Sequence, residues 1–221
     1  MGDIAASTAG QLVQAVRDFG GWFGKHLDGP VGEVAGMLQD RLKFARAARV
    51  IRLAERFKFA LDASGRPVTI QSLPTNFSLQ ILEEGSMEED DELQDVWARL
   101  LANACDPAAR VSPRRSHITM IKEMTPLDAM VFEAIYSVPP DDGTKKAILT
   151  YELPERASDA TGANLDLLPK PKQEVVVSIS NLERIGAVKF GSTWGGGEVF
   201  DVVNQCVGGH ELYKAIKRRS A

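Results

Sequence analysis

The stretch ILEEGSMEEDDELQDVWARLLANACDP, residues 81–107, decides how this chain is read. Leu93, Val96, Trp97, Leu100, Leu101 and Ala104 recur at intervals of three, one, three, one and three residues. That is one apolar stripe of an α-helix. Asp106-Pro107 stops it, because the residue before a proline is driven out of the helical region. At the other end Ser86 and Glu89 have the spacing of a capping box. The serine hydroxyl accepts from the Glu89 N–H, and the glutamate carboxylate accepts from the Ser86 N–H. Glu88, Glu89, Asp90, Asp91 and Glu92 then fall in the first turn and a half, where the helix dipole favours negative charge. The spacing therefore predicts a helix capped at Ser86. The acidic run reads as a solvated helix start or as a docking surface for a basic partner. Acidic metal loops need a turn residue between alternating ligands, so no metal site is expected.

Two segments carry a resemblance. SMEEDDELQ (86–94) with WARLLANA (97–104), and SNLERIGAV (180–188), resemble the bacterial abortive-infection alpha family. The resemblance implies a role in bacterial defence against phage. It supplies a biological setting and no catalytic or ligand-binding residue.

Working outward, 221 residues allow one large domain or two small ones. With 44% apolar and 25% charged residues, the composition is that of a globular protein. A formal charge of −4 argues against coating of nucleic acid by the whole chain. No apolar run approaches the ~20 residues of a membrane-spanning helix. The opening MGDIAASTAG lacks the basic, then apolar, pattern of a secretory signal, so a cytoplasmic location is expected. Cys105 and Cys206 stand alone, as free thiols would. His26, His117 and His210 have no metal-ligand spacing.

Residues 10–38 carry an apolar face of Leu12, Val13, Val16, Phe19, Trp22, Phe23 and Leu27, cut by Gly20, Gly21, Gly24, Gly29, Gly32 and Gly36. Each glycine inside a helix costs roughly 0.5–1 kcal/mol relative to alanine. Gly20–Gly24 and Gly32–Gly36 have the GxxxG spacing of close helix packing. Residues 33–61 predict one long amphipathic helix, with Leu42, Val50, Ile51, Leu53, Ala54, Phe57 and Leu61 on one side. Arg41, Arg49, Arg52 and Arg56 form a stripe on the other. Such a stripe fits an anionic membrane surface, phosphates or the acidic start of the Trp97 helix. Residues 63–74 read as a connector, 75–84 as a short helix and 106–116 as a basic, proline-containing loop.

Beyond this loop, residues 117–124 predict a short helix. A second helix starts with Thr125 as N-cap and Pro126 at its first position. Strands are expected at 147–153, 187–190 and 199–207. A mobile polar loop is expected at 154–171, a helix at 173–185 closed by Gly186, and a last helix at 210–218. The order looks winged-helix-like, with STWGGG (192–197) as the wing tip. Lys172, Gln173, Asn181, Arg184 and Lys189 are the candidate nucleic-acid contacts, opposed by Glu174 and Glu183. Trp194 is a candidate partner anchor.

No nucleophile elbow, zinc motif, Walker loop or dinucleotide fingerprint is present. No catalytic, cofactor or metal residue is therefore named. The reading is a mainly α protein, α+β overall, with a helical domain at 1–107 and a winged-helix-like domain at 115–221. The expected function is non-enzymatic, cytoplasmic phage defence through a protein partner. Arg41, Arg49, Arg52, Arg56, Glu88, Glu89, Asp90, Asp91 and Trp194 are the candidate contacts. The alternatives are a winged-helix nucleic-acid-binding regulator and a membrane-active effector using the N-terminal amphipathic helices.

Overall fold

The computed structural model describes Gly21 and residues 44–63, 65, 70–112, 114–140, 146–192 and 197–219. Trp22, Phe23, Arg41, Trp194 and most of the N-terminal glycines lie outside these residues. The described residues form two compact units. One holds the chain up to Ile118 together with Arg218 and Arg219, the other Thr119–Lys217. The division falls between Ile118 and Thr119, inside a helix, and not in the 108–114 segment that separated the two domains in the sequence.

The first unit is built on α1 (Phe44–Asp62), α2 (Thr75–Met87) and α3 (Asp91–Cys105). The apolar stripe of α3 is its core: Leu93, Val96, Trp97, Leu100, Leu101 and Ala104 are all buried. They meet Val50, Leu53 and Phe57 of α1 and Phe77, Ile81 and Leu82 of α2. Gly85 allows the three helices to approach. A Cβ placed there would come within 3.1 Å of both a Leu53 methyl and the Trp97 Cβ. Gln94 is fully buried, and its amide donates to Arg49 O and Gly85 O, each at 3.2 Å. One side chain thereby satisfies backbone acceptors on α1 and α2 from α3.

The helix starts differ from the sequence reading. Ser86 does not cap α3. It lies in the last turn of α2, and its hydroxyl donates to Glu83 O at 2.9 Å. The N-cap is Asp90, whose Oδ1 accepts from Glu92 N and Leu93 N at 3.0 Å each. Glu88 Oε1 accepts from the N–H groups of Glu89 and Asp90 ahead of the helix. Only Asp91 and Glu92 therefore occupy the first turn. The physical reason is packing. The buried face of α2 continues through Ile81, Leu82 and Gly85 to Ser86, which is 2% exposed. Burial extends α2 beyond its predicted end at residue 84, and the chain first becomes free to cap at Asp90. Asp90→Ala should accordingly lower stability by about 0.5–2 kcal/mol, while Ser86→Ala changes it less. Paired denaturant melts would expose the opposite ranking.

The second unit follows the predicted caps closely. α4 (Arg115–Lys122) leads to α5 (Pro126–Ser137). Thr125 and Asp128 form a full capping box, with bonds of 3.2 and 2.7 Å. The strands β1 (Ala147–Leu149), β2 (Ser158–Asp159), β3 (Lys189–Ser192) and β4 (Glu198–Asn204) form an antiparallel sheet in the order β2-β1-β4-β3. α6 (Gln173–Arg184) precedes β3, and α7 (Val207–Ile216) follows β4. Gly186, at φ +78°, closes α6 with Gly186 N donating to Glu183 O and Ala187 N to Leu182 O. This is a Schellman end, which glycine permits because it lacks a Cβ.

Several boundaries shift. β1 stops at Leu149 where 147–153 was expected, and residues 151–155 form a turn. The segment 154–171, expected as a mobile loop, contributes β2 and a 3-10 turn at Leu165–Leu167. The open edge of β1 needs backbone partners, and β2 supplies them through Ile148↔Asp159 and Leu149↔Ser158. Lys146 Nζ, 2.9 Å from Asp159 Oδ2, holds that pairing. At the other end of the sheet, Gln205 takes the chain out of β4. Its amide donates to Ile135 O and Val138 O at 2.7 and 2.8 Å, so α7 begins at Val207 and not at His210.

Tyr136 ties α5 to this corner. Its hydroxyl donates to Ala187 O at 2.6 Å and accepts from Cys206 N at 3.0 Å. Gly209, in the first turn of α7, lies against both. A methyl group there would overlap the Tyr136 hydroxyl and the Ala187 carbonyl oxygen.

Candidate interaction surfaces

Arg49, Arg52 and Arg56 are spaced to make one stripe on α1, and the structure gives each of these three a carboxylate. Arg49 Nη2 lies 2.5 Å from Glu89 Oε1, Arg52 Nη1 3.0 Å from Asp91 Oδ1 and Arg56 Nη2 2.9 Å from Asp91 Oδ1. Glu89 and Asp91 are 78% and 64% exposed, which places these pairs in the range of roughly 0–1 kcal/mol each. Their effect is on charge more than on stability. The basic stripe and the acidic start of α3 compensate each other within one unit. Glu88 and Asp90 face backbone N–H groups. The candidate partner contacts at Arg49, Arg52, Arg56, Glu88, Glu89, Asp90 and Asp91 are thus brought together as an intramolecular seam.

A second seam escaped the sequence reading. Asp95 is shared by Arg99 and Arg218, at 3.1 Å from each. Arg218 also reaches Glu92 at 3.8 Å, and Arg219 pairs with Asp106. The basic ending KRRSA was visible, but no local signal connects it to acids more than a hundred residues earlier.

In the second unit three of the nucleic-acid candidates are engaged in the same way. Lys172 Nζ lies 3.1 Å from Glu155 Oε1, Arg184 Nη2 3.0 Å from Glu123 Oε2 and Lys189 Nζ 3.0 Å from Glu183 Oε1. The Glu155 carboxyl sits below the usual carboxylate range, held first by its own backbone N–H and then by Lys172. Lys172 is raised in turn by that carboxylate. The Asn181 amide donates to Glu123 O and Asp128 Oδ2, both at 2.8 Å, and so braces the cap of α5. Gln173 is exposed at the start of α6.

Cys105 is buried, and desolvation pushes its thiol up to about 12, which keeps the reactive thiolate scarce. Burial likewise raises Tyr136. Cys206 is a free, half-buried thiol that donates to Gly186 O at 3.4 Å. Among the described residues, no group of three or more His, Cys, Asp or Glu side chains could hold a metal ion. No described helix is long and apolar enough to cross a membrane.

The apolar surface offers a candidate that sequence reading passed over. Phe59 is 73% exposed on α1, two residues from the buried Phe57. The helical period is the signal that places it off the core face, since two residues turn an α-helix by about 200° from Phe57.

The chain is mainly α, with a helical first unit, a small antiparallel sheet in the second, and described charged side chains paired within each unit. A family model described as abortive infection alpha matches residues 45–220, and the chain belongs to that family. The match spans both units and extends well beyond the segments on which the resemblance first rested. No curated protein and no solved structure matches the chain.

Proposed function

We propose that this chain is a non-enzymatic, cytoplasmic phage-defence protein of the abortive-infection type that works by binding a protein partner. Membership of the abortive infection alpha family supports the defence setting. The observation that carries the mode of action is the contrast between closed charges and an open aromatic. Arg49, Arg52, Arg56, Lys172, Arg184 and Lys189 each face a carboxylate. Phe59 meanwhile stands exposed in the same helix as the arginine stripe. Aromatic side chains are enriched at the energetic centres of protein interfaces. Trp194 is a second candidate anchor, outside the described residues. The test is affinity purification from infected and uninfected bacteria after nuclease treatment, run beside phage plating. A retained protein partner, lost together with protection in Phe59→Glu, is the expected result. Protection that survives Phe59→Glu, or a partner that leaves with the nucleic acid, would overturn the reading.

A winged-helix nucleic-acid-binding regulator is the second reading, and one observation favours it. β1, α6, β3 and β4 follow α5 in that order, with β4 between β1 and β3 in the sheet, as in a winged helix. Asn181 and Arg184 of α6 are nevertheless engaged within the unit. No specific duplex binding is expected at physiological salt, where electrostatic binding has already weakened steeply. Sequence-selective nanomolar binding, lost on combining Lys172→Ala with Arg184→Ala, would put this reading first. The membrane reading rests on Trp22 and Phe23 with the stripe of Arg41, Arg49, Arg52 and Arg56, and Trp22, Phe23 and Arg41 lie outside the described residues. Arg49, Arg52 and Arg56 already have carboxylate partners.

A further inference from the structure

The outer side of α1 carries more than the arginine stripe. Phe59 follows Arg56 by one turn and Arg52 by two, about 60° and about 20° from them around the helix. It is 73% exposed. At the other end of the stripe Arg49 Nη1 donates to Met87 O at 3.4 Å, and Met87 is 45% exposed. Arg49 and Phe59 stand about 15 Å apart along the helix axis. Asp91 bridges Arg52 and Arg56, which puts it midway between these ends, level with Ala54. Glu89 stands beside Arg49. The face is a basic stripe beside an acidic one, with an exposed aromatic ring at one end and an exposed methionine at the other.

We propose that this face is the contact between two copies of the chain, related by a two-fold axis that passes between the stripes level with Ala54. The inference rests on the reading of Phe59 as a partner contact, and it names the partner. A two-fold interface requires a surface that complements itself. Rotation about this axis lays the basic stripe of each copy over the acidic stripe of the other. It also reverses the ends, so that Phe59 comes against Met87 of the second copy. Sulfur–aromatic contact suits that pair, and aromatic, Met and Arg side chains are those enriched at interfaces. A uniformly acidic or uniformly basic partner would instead meet one stripe of its own sign. The pairs within each copy do not stand in the way. A carboxylate has about four acceptor sites, so the exposed Glu89 and Asp91 can receive arginines of the second copy while keeping their own. Charge complementarity sets the register, and the apolar ends supply burial.

Sedimentation velocity on the purified full chain tests this. The chain should dimerise at concentrations up to about 100 μM, and Phe59→Glu should weaken the dimer about tenfold or more. Arg52→Glu and Asp91→Arg each set like charges across the axis, and each alone should weaken it by about as much. Mixed in equal amounts, these two variants should associate again, because each altered stripe meets its opposite only in the other variant. The pair within one copy is lost in both variants, so purely internal pairing predicts no recovery on mixing. A chain that stays monomeric throughout, or a dimer indifferent to Phe59→Glu, would overturn the inference. Two folded charge variants that stay monomeric when mixed would do the same. A different protein retained in the affinity purification and lost in Phe59→Glu would then still uphold the binding role, so the two readings fail separately.

Discussion

Trp97→Ala should lower the unfolding free energy of the first unit by about 3–5 kcal/mol. Trp97 is 1% exposed and is the largest fully buried side chain in the described residues. It sits at the meeting point of three helices, with its Cβ against the position where Gly85 has none. The surrounding backbones are already close, so they have little room to move into the space left behind. Costs of such truncations rise with the cavity that remains. The measurement is a denaturant melt, read alongside hydrogen exchange in residues 91–105. A loss below about 1 kcal/mol would place the α3 stripe away from a core. Gln94 makes the same point in polar form, because its buried amide requires the Arg49 and Gly85 carbonyls where they now lie.

Gly209→Ala should destabilise the second unit by about 3 kcal/mol or more, against the local preference for alanine in a helix. Propensity alone would favour alanine by roughly 0.5–1 kcal/mol. The packing term outweighs it. The added methyl would occupy the place of the Tyr136 hydroxyl and the Ala187 carbonyl oxygen. Forcing extra volume into a packed site costs about 1–3 kcal/mol. Displacing the Tyr136 hydroxyl adds the penalty of a buried hydrogen bond left unmade, about 1–3 kcal/mol. Tyr136→Phe removes the hydroxyl and part of the overlap, so Gly209→Ala should cost less in that background. A double-mutant cycle by thermal or chemical melts measures this coupling. Additive losses would show that the two residues do not press on each other.

The charge pattern bears on function through what it leaves available. Surface ion pairs of this exposure contribute little to stability. They do set a carboxylate beside Arg49, Arg52, Arg56 and Arg184, which weakens the pull of these cations on phosphates or an anionic surface. On the proposed binding role, recognition is expected to depend on shape and apolar contact, with Phe59 the first residue to vary.

The sequence by itself determined what is local. The α3 stripe, the Thr125 capping box and the Gly186 helix end each depend on residues within about five positions of one another. Burial could only reinforce them. Mainly α character and the family were legible for the same reason. Where two local signals competed, tertiary structure chose. Ser86 and Asp90 both suit an N-cap, and the core on α2 drew Ser86 into that helix. Pairing across long separations was decided by the fold alone. Arg49 meets Glu89 from 40 residues away, and Arg218 meets Asp95 from 123. No sequence spacing specifies such contacts, because they arise only after helices have packed and brought distant charges within reach. The need for Gly209 belongs to this second class, for the atoms that exclude a side chain there come from Tyr136 and Ala187.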